Sequence, residues 1–147
     1  MKVTAGDAIP PWTMESVCPA RMRTVAAILR DPNPVHWDRA FVASRGGGER
    51  VVNQSPINVG YIANMLMAWA GPDSIRRIRV TFPGAVFESE RVTARGNVRA
   101  LSREGELLLA ECDVWLEKDD GGRAVEGFAV IALPGRHRGD PCPQPGG

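Results

Sequence analysis

Pro56-Ile57-Asn58-Val59-Gly60-Tyr61-Ile62-Ala63-Asn64-Met65-Leu66-Met67-Ala68-Trp69-Ala70 is apolar on nearly every side when it is wound as a helix. A helix of that kind is enclosed by other structure, so the rest of the chain has to wrap it. Its ends are marked. Ser55 suits the N-cap, Pro56 suits the first helical position, and Gly71-Pro72 stops the helix. Gly60 and Ala63, about one turn apart, allow a sheet or a second helix to come close. Met65, Met67 and Trp69 read as core packing rather than a cofactor site.

Downstream of Pro72 the apolar period switches from helical to alternating. Ile78, Val80 and Phe82 alternate with Arg77, Arg79 and Thr81, which predicts a strand with one buried face. Pro83-Gly84 turns the chain, and a long β-region is expected from Val86 through Leu101, with Gly96 as a candidate bulge. Glu106 to Lys118 reads as another strand, with Leu108, Ala110, Cys112, Val114 and Leu116 on one face. Asp119-Asp120-Gly121-Gly122 makes a hairpin turn into a last strand, Arg123 to Leu133. One buried helix followed by at least four long antiparallel strands predicts an α+β domain in which a curved sheet wraps a single helix. Such a sheet has edges to protect, and pairing of two subunits is one solution.

Upstream, Met1 to Pro11 reads as an extended lead-in with a turn at Gly6-Asp7, followed by a short β-like run at Trp12 to Val17. Pro19 opens a helix through Ala20 to Arg30, in which Met22, Val25, Ala26 and Leu29 recur at helical spacing. That helix ends at Asp31, because a residue before proline resists the α conformation. Asp38 to Phe41 starts a further short helical piece, and Gly46-Gly47-Gly48 breaks the chain. The three glycines lack the Gly-Lys-Ser/Thr ending of a phosphate loop and read as a connector.

Composition narrows the function. The 147 residues fit one domain, placed at residues 1–133, and the Gly, Pro, Arg and Asp-rich segment 134–147 is expected to be a disordered tail in which His137 has no catalytic role. With 18 Lys+Arg against 17 Asp+Glu, no field draws in nucleic acid or an anionic membrane. Cys18, Cys112 and Cys142 are odd in number and far apart, which argues against a disulfide framework or a zinc site and fits reduced thiols in the cytoplasm. No run is long and apolar enough to span a membrane, and the first residues carry no signal-peptide core. No cluster of ligands for a metal or redox cofactor is visible, so none is expected.

The chemistry is expected between the first helix and the glycines, at Asp31-Pro32-Asn33-Pro34-Val35-His36-Trp37-Asp38. Pro32 and Pro34 fix φ and bias Asp31 and Asn33 away from the α region, which makes this an ordered turn, neither helix nor strand. It holds a carboxylate and an imidazole on a stiff loop, which is what proton transfer at neutral pH requires. A solvated turn, with Asp31 capping backbone N–H groups, fits the same spacing equally well.

The turn resembles the signature of the MaoC-like hydratases and dehydratases: Asp31, Asn33, Pro34, His36 and Asp38 match Asp-x-Asn-Pro-x-His-x-Asp. The resemblance extends over roughly Gly6 to Leu133, through Gly6-Asp7 with Pro10 near the start and Trp-Ala-Gly-Pro at Trp69 to Pro72. It implies the hotdog fold and a hydro-lyase of the R-specific enoyl-CoA hydratase type. Asp31 and His36 would be the catalytic pair and Asn33 the structural asparagine of the site. Two departures stand out. Arg30 occupies the position where the family usually has Gly. Gln54-Ser55 stands where the family has His-Gly, whose backbone N–H polarises the thioester carbonyl; Ser55 N–H could still do this, whereas Pro56 has no N–H to donate.

The resemblance implies reversible hydration of a 2-enoyl thioester, on CoA or a carrier, to the (R)-3-hydroxyacyl product. Asp31 and His36 would move the protons, with Asn33, Gln54 and Ser55 on the substrate side. The implied assembly is a homodimer or a hotdog heteromer. Two other readings compete: a non-catalytic partner subunit that shapes the acyl pocket of an active hydratase, and an acyl thioesterase. Arg76, Arg77 and Arg79 either hold phosphates of CoA or a carrier arm or form a solvated face. Gly60 and Ala63 either leave room for a bulky acyl group or serve close packing.

Overall fold

The computed structural model describes residues 2–133. Its core is one antiparallel sheet curved around a long helix, an α+β hotdog arrangement. In chain order the elements are β1 (Ala8–Met14), α1 (Pro19–Leu29), a 3₁₀ turn (Pro34–His36), α2 (Arg39–Ser44), α3 (Ser55–Ala70), β2 (Ile75–Thr81), β3 (Val92–Glu104), β4 (Leu107–Lys118) and β5 (Arg123–Leu133). The strands lie in the order β1-β3-β4-β5-β2. Chain neighbours β3, β4 and β5 form a meander, while β1, from the N-terminal half, and β2, which precedes β3, become the edges.

The helix α3 lies on the concave face, where Tyr61, Ile62, Met65, Leu66 and Ala70 are buried against strand residues such as Val98, Cys112, Val114 and Ile131. Among the described residues it is covered on one face rather than all round. Pro56, Asn64 and Ala68 are exposed, and Gly60, Ala63 and Met67 are half-buried. Gln54 takes the N-cap position and Ser55 is the first helical residue, with no side chain capping the end, so the expectation that Ser55 caps the helix is corrected. Among the described residues Gly60 is not a point of close approach, because nothing outside its own stretch of helix lies within 4 Å of where a Cβ would stand. That role falls to Gly96, where a Cβ would lie 3.0 Å from Ile9 Cδ1 and 3.3 Å from Met65 Cε. The glycine seats α3 and β1 against β3; the β3–β4 ladder is irregular at Val98–Ala100, and the β1–β3 register shift begins at Ile9, the partner of Gly96.

Three other boundaries differ from expectation. β1 begins inside the expected lead-in, at Ala8 with Pro10 and Pro11 in it, and ends at Met14 within the expected run Trp12 to Val17. Proline removes a ladder donor, and β1 accommodates two because it is an edge strand whose register shifts between Ile9 and Trp12. The β-region from Val86 does not run into β3. Val86 to Glu88 pair instead with Val51 to Asn53 through a Val52–Phe87 bridge, and Ser89, at φ +65°, turns the chain away. Phe82 lies beyond the end of β2 and is 45% exposed, so it does not share the buried face of Ile78 and Val80. Segment 134–147, expected to be a tail, lies outside the described residues.

Candidate active site

Asp31 is placed by the way α1 ends. Asp31 N–H donates to Ala26 O at 2.8 Å and Arg30 N–H to Ala27 O, a closure that needs the residue between helix and turn to be left-handed. Arg30 stands there with φ +52°. This conformation is free to glycine and costly to other residues, which gives a backbone reason for the family's usual Gly at this position.

Beyond Arg30 the turn organises itself. Asn33 N–H donates to Asp31 Oδ1 at 3.0 Å, and Asn33 Oδ1 accepts from Val35 N–H at 3.3 Å, capping the 3₁₀ turn Pro34–His36. Asn33 thus shapes the loop. Asp38 closes its far end by accepting from Phe41 N–H at 3.1 Å as the N-cap of α2. Part of the stretch expected to be free of helix is therefore this single 3₁₀ turn.

The turn brings Asp31 Oδ2 to 3.5 Å from His36 Nε2. His36 Nδ1 lies 2.7 Å from Val52 O, and since a carbonyl can only accept, Nδ1 carries the proton and donates. Nε2 therefore faces the carboxylate with its lone pair when the ring is neutral. The His36 side chain is 13% exposed and that of Asp31 is 28% exposed. Asp31 Oδ2, not engaged by Asn33, and His36 Nε2 form a partly sheltered pair that can hold a water molecule and exchange protons with it.

Two clefts lie near this turn, one lined by Asp31 without His36 and the other by Val52 without either member of the pair. One, of about 430 Å³, is bounded by Asp31, Arg23, Ala26, Arg30 and Trp37. The other, of about 330 Å³, lies at the start of α3 between Asn53, Ser55, Asn58 and the Phe82 to Ala85 loop. Ser55 lines the second cleft, and among the described residues neither its N–H nor that of Gln54 donates to another group. The Gln54 side chain is turned inward, 1% exposed, with Nε2 donating to Met22 O at 2.9 Å, so it ties α3 to α1. Asn53 Nδ2 donates to Asn58 Oδ1 at 2.7 Å, leaving the buried Asn53 Oδ1 and Gln54 Oε1 without partners among the described residues.

Reading along the chain missed the supports of His36. Val52 supplies the carbonyl, and the neighbouring Val51 N–H donates to Glu88, a 4% exposed carboxylate gripped by Arg39 at 2.7 and 2.6 Å. A glutamate in phase with buried Val86 was the available signal. Arg76, Arg77 and Arg79 are exposed on edge strand β2, with Arg79 set over the Phe128 ring. Burial pushes the Cys112 thiol up to about 11, which leaves it an inert packing group at neutral pH. Among the described residues no three His, Cys, Asp or Glu side chains gather as metal ligands.

The MaoC-like domain family matches residues 5–107, a span that contains the dyad turn, α3 and β2. This chain belongs to that family. The MaoC-like domain is similar to the (R)-hydratase from A. caviae involved in PHA biosynthesis, with 27% identity and a TM-score of 0.79 over 90% of this chain and 98% of that one. It also resembles R-hydratase PhaJ1 from Pseudomonas aeruginosa, at 19% identity and TM-score 0.76, covering 90% of this chain and 83% of that one. A third likeness is to the ChsH1-ChsH2 complex from Mycobacterium tuberculosis, at 20% identity and TM-score 0.75, covering 90% and 100%. At their lower identities the last two speak for the hotdog fold alone. No curated protein matches.

Proposed function

We propose that this MaoC-like domain is a hydro-lyase that reversibly adds water to a 2-enoyl thioester, giving the (R)-3-hydroxyacyl thioester. The observation that carries this reading is the orientation of His36: Nδ1–H is held on Val52 O, and Nε2 is turned to Asp31 Oδ2 at 3.5 Å. In hydration, water held by this pair gives up a proton to it while its oxygen bonds to Cβ of the enoyl group. Charge moves onto the thioester oxygen, and the pair returns a proton to Cα. Ser55 N–H, together with that of Gln54, at the start of a 16-residue helix, is the donor proposed to stabilise the developing enolate oxygen by hydrogen bonding and the helix dipole. Asn33 holds the loop in shape, and no metal or redox group is required for this chemistry.

The proposed substrate is carried on CoA or on a carrier arm, and the proposed location is the cytoplasm. The half-bare face of α3 and the edge strand β2 support a homodimer or a hotdog heteromer. The rival reading, a non-catalytic partner, draws on neighbours that are themselves complexes, ChsH1-ChsH2 and HadBC.

Purified protein incubated with crotonyl-CoA, longer enoyl-CoAs and ring-bearing enoyl-CoAs tests the proposal. Loss of enoyl absorbance on at least one is the expected result. Release of free thiol would point to a thioesterase, and an unchanged panel would favour the partner reading.

A further inference from the structure

We infer that the Arg39–Glu88 ion pair is a positioning element for His36, acting through the extended segment Val51 to Asn53. The inference rests on the reading of His36 as the proton-transfer group. Both edges of that segment are in use. On one edge Val52 N–H donates to Val35 O at 2.9 Å and Val52 O accepts from His36 Nδ1 at 2.7 Å, so both its backbone groups serve the turn. On the other edge Val51 O accepts from Glu88 N–H at 3.0 Å, Asn53 N–H donates to Val86 O at 2.7 Å, and Val51 N–H donates to Glu88 Oε1 at 3.3 Å. The segment is clamped between the catalytic turn and Val86 to Glu88.

The clamp depends on a carboxylate that is costly to bury. The Glu88 side chain is 6% exposed, and burial of a charge is tolerated only when it is paired and hydrogen-bonded. Arg39 supplies both prongs of its guanidinium, Nε to Oε1 at 2.7 Å and the terminal nitrogen to Oε2 at 2.6 Å. Arg39 is also the first residue of α2, three positions after His36 and directly after the capping Asp38. A closed circuit results, from His36 to Val52, along the backbone to Val51, across to Glu88, on to Arg39, and back along the chain. Removing Arg39 takes both strong hydrogen bonds from a buried carboxylate and leaves it only Val51 N–H and the charge of Arg50. Relief of that cost by movement of Val86 to Glu88 shifts Val52 O and frees the imidazole to rotate or change tautomer. A geometric error of this kind, small in distance, is large in rate.

The test compares Arg39→Met, Arg39→Lys and Glu88→Gln with the parent protein by ¹⁵N NMR of the imidazoles, thermal melting and enoyl-CoA hydration. The resonances absent from His36→Ala identify His36. The parent should show the Nδ1–H tautomer, and Arg39→Met should show mixed tautomers, with kcat lowered about tenfold and KM within about twofold. Arg39→Lys keeps the charge without the fork and should fall between the two. Should Arg39→Met fail to fold, Arg39→Lys and the nearly isosteric Glu88→Gln carry the comparison. Folded variants with lower melting temperature but an unchanged imidazole spectrum would overturn the inference and leave the pair merely structural. The NMR result needs no substrate, so an inactive parent protein would count against hydration while the spectrum still decided the role of the pair.

Discussion

Asp31 and His36 meet because each is fixed by backbone partners within a few residues: Asp31 by the closure of α1 and by Asn33 N–H, His36 by the 3₁₀ turn and Val52 O. Asp31→Asn keeps the acceptor that Asn33 uses and removes the charge, so the fold should persist while turnover falls. His36→Ala should do the same. Losses of about 10²-fold or more in kcat are expected in each, with the double variant little worse than either, because two groups moving protons in one step act as a unit. Circular dichroism melts alongside the kinetics check this. Rates within a few-fold of the parent in both variants would remove the pair from the mechanism. These residues were legible in the sequence because their geometry is local, with prolines and an Asx cap inside eight positions. Val52 was not, since a backbone carbonyl carries no side-chain signature, and the Arg39–Glu88 pair spans residues far apart in the chain.

At the scale of elements, α3 could be read from a nearly all-apolar run with marked ends, β4 from its alternation and β5 from the turn that leads into it. β1 was obscured by prolines that only an edge position tolerates, and Val86 to Glu88 has strand alternation but a different partner. The glycines separate two packing environments. Gly96→Ala should destabilise by about 1–3 kcal/mol in urea unfolding, since its Cβ meets Asp113 O at 2.9 Å as well as Ile9 and Met65. Gly60→Ala, in a helix with open space beside it, should stabilise by about 0.5–1 kcal/mol, and destabilisation there would mean that another surface packs on that face. Glu88 predicts a pH dependence. Hydrogen bonds from Arg39 hold its carboxyl below the ordinary value of 4.5, so the folded state binds this proton more weakly than the unfolded chain. The stabilisation is complete above that ordinary value and is lost as pH falls through the lower folded one. Unfolding measured from about pH 7 to about pH 3 should show a shallower acid decline in Glu88→Gln than in the parent.

For the whole molecule, among the described residues the sheet ends at β1 and β2 and α3 is covered on one side only. An unpaired strand edge beside a half-bare apolar helix favours association, so mass measurement at micromolar concentration should give a dimer or a larger dimer-based assembly. A clean monomer of 15.9 kDa would contradict this. The central claim is that water adds to carbon at Cβ with the thioester left intact. Its most direct test is incubation with a 2-enoyl-CoA in ¹⁸O-labelled water, with the products read by mass spectrometry. The account predicts one labelled oxygen at C3 of an intact 3-hydroxyacyl-CoA, absent when Asp31→Asn replaces the parent. Label in a free carboxylate beside released CoA, or no label in any product across the substrate panel, would contradict it.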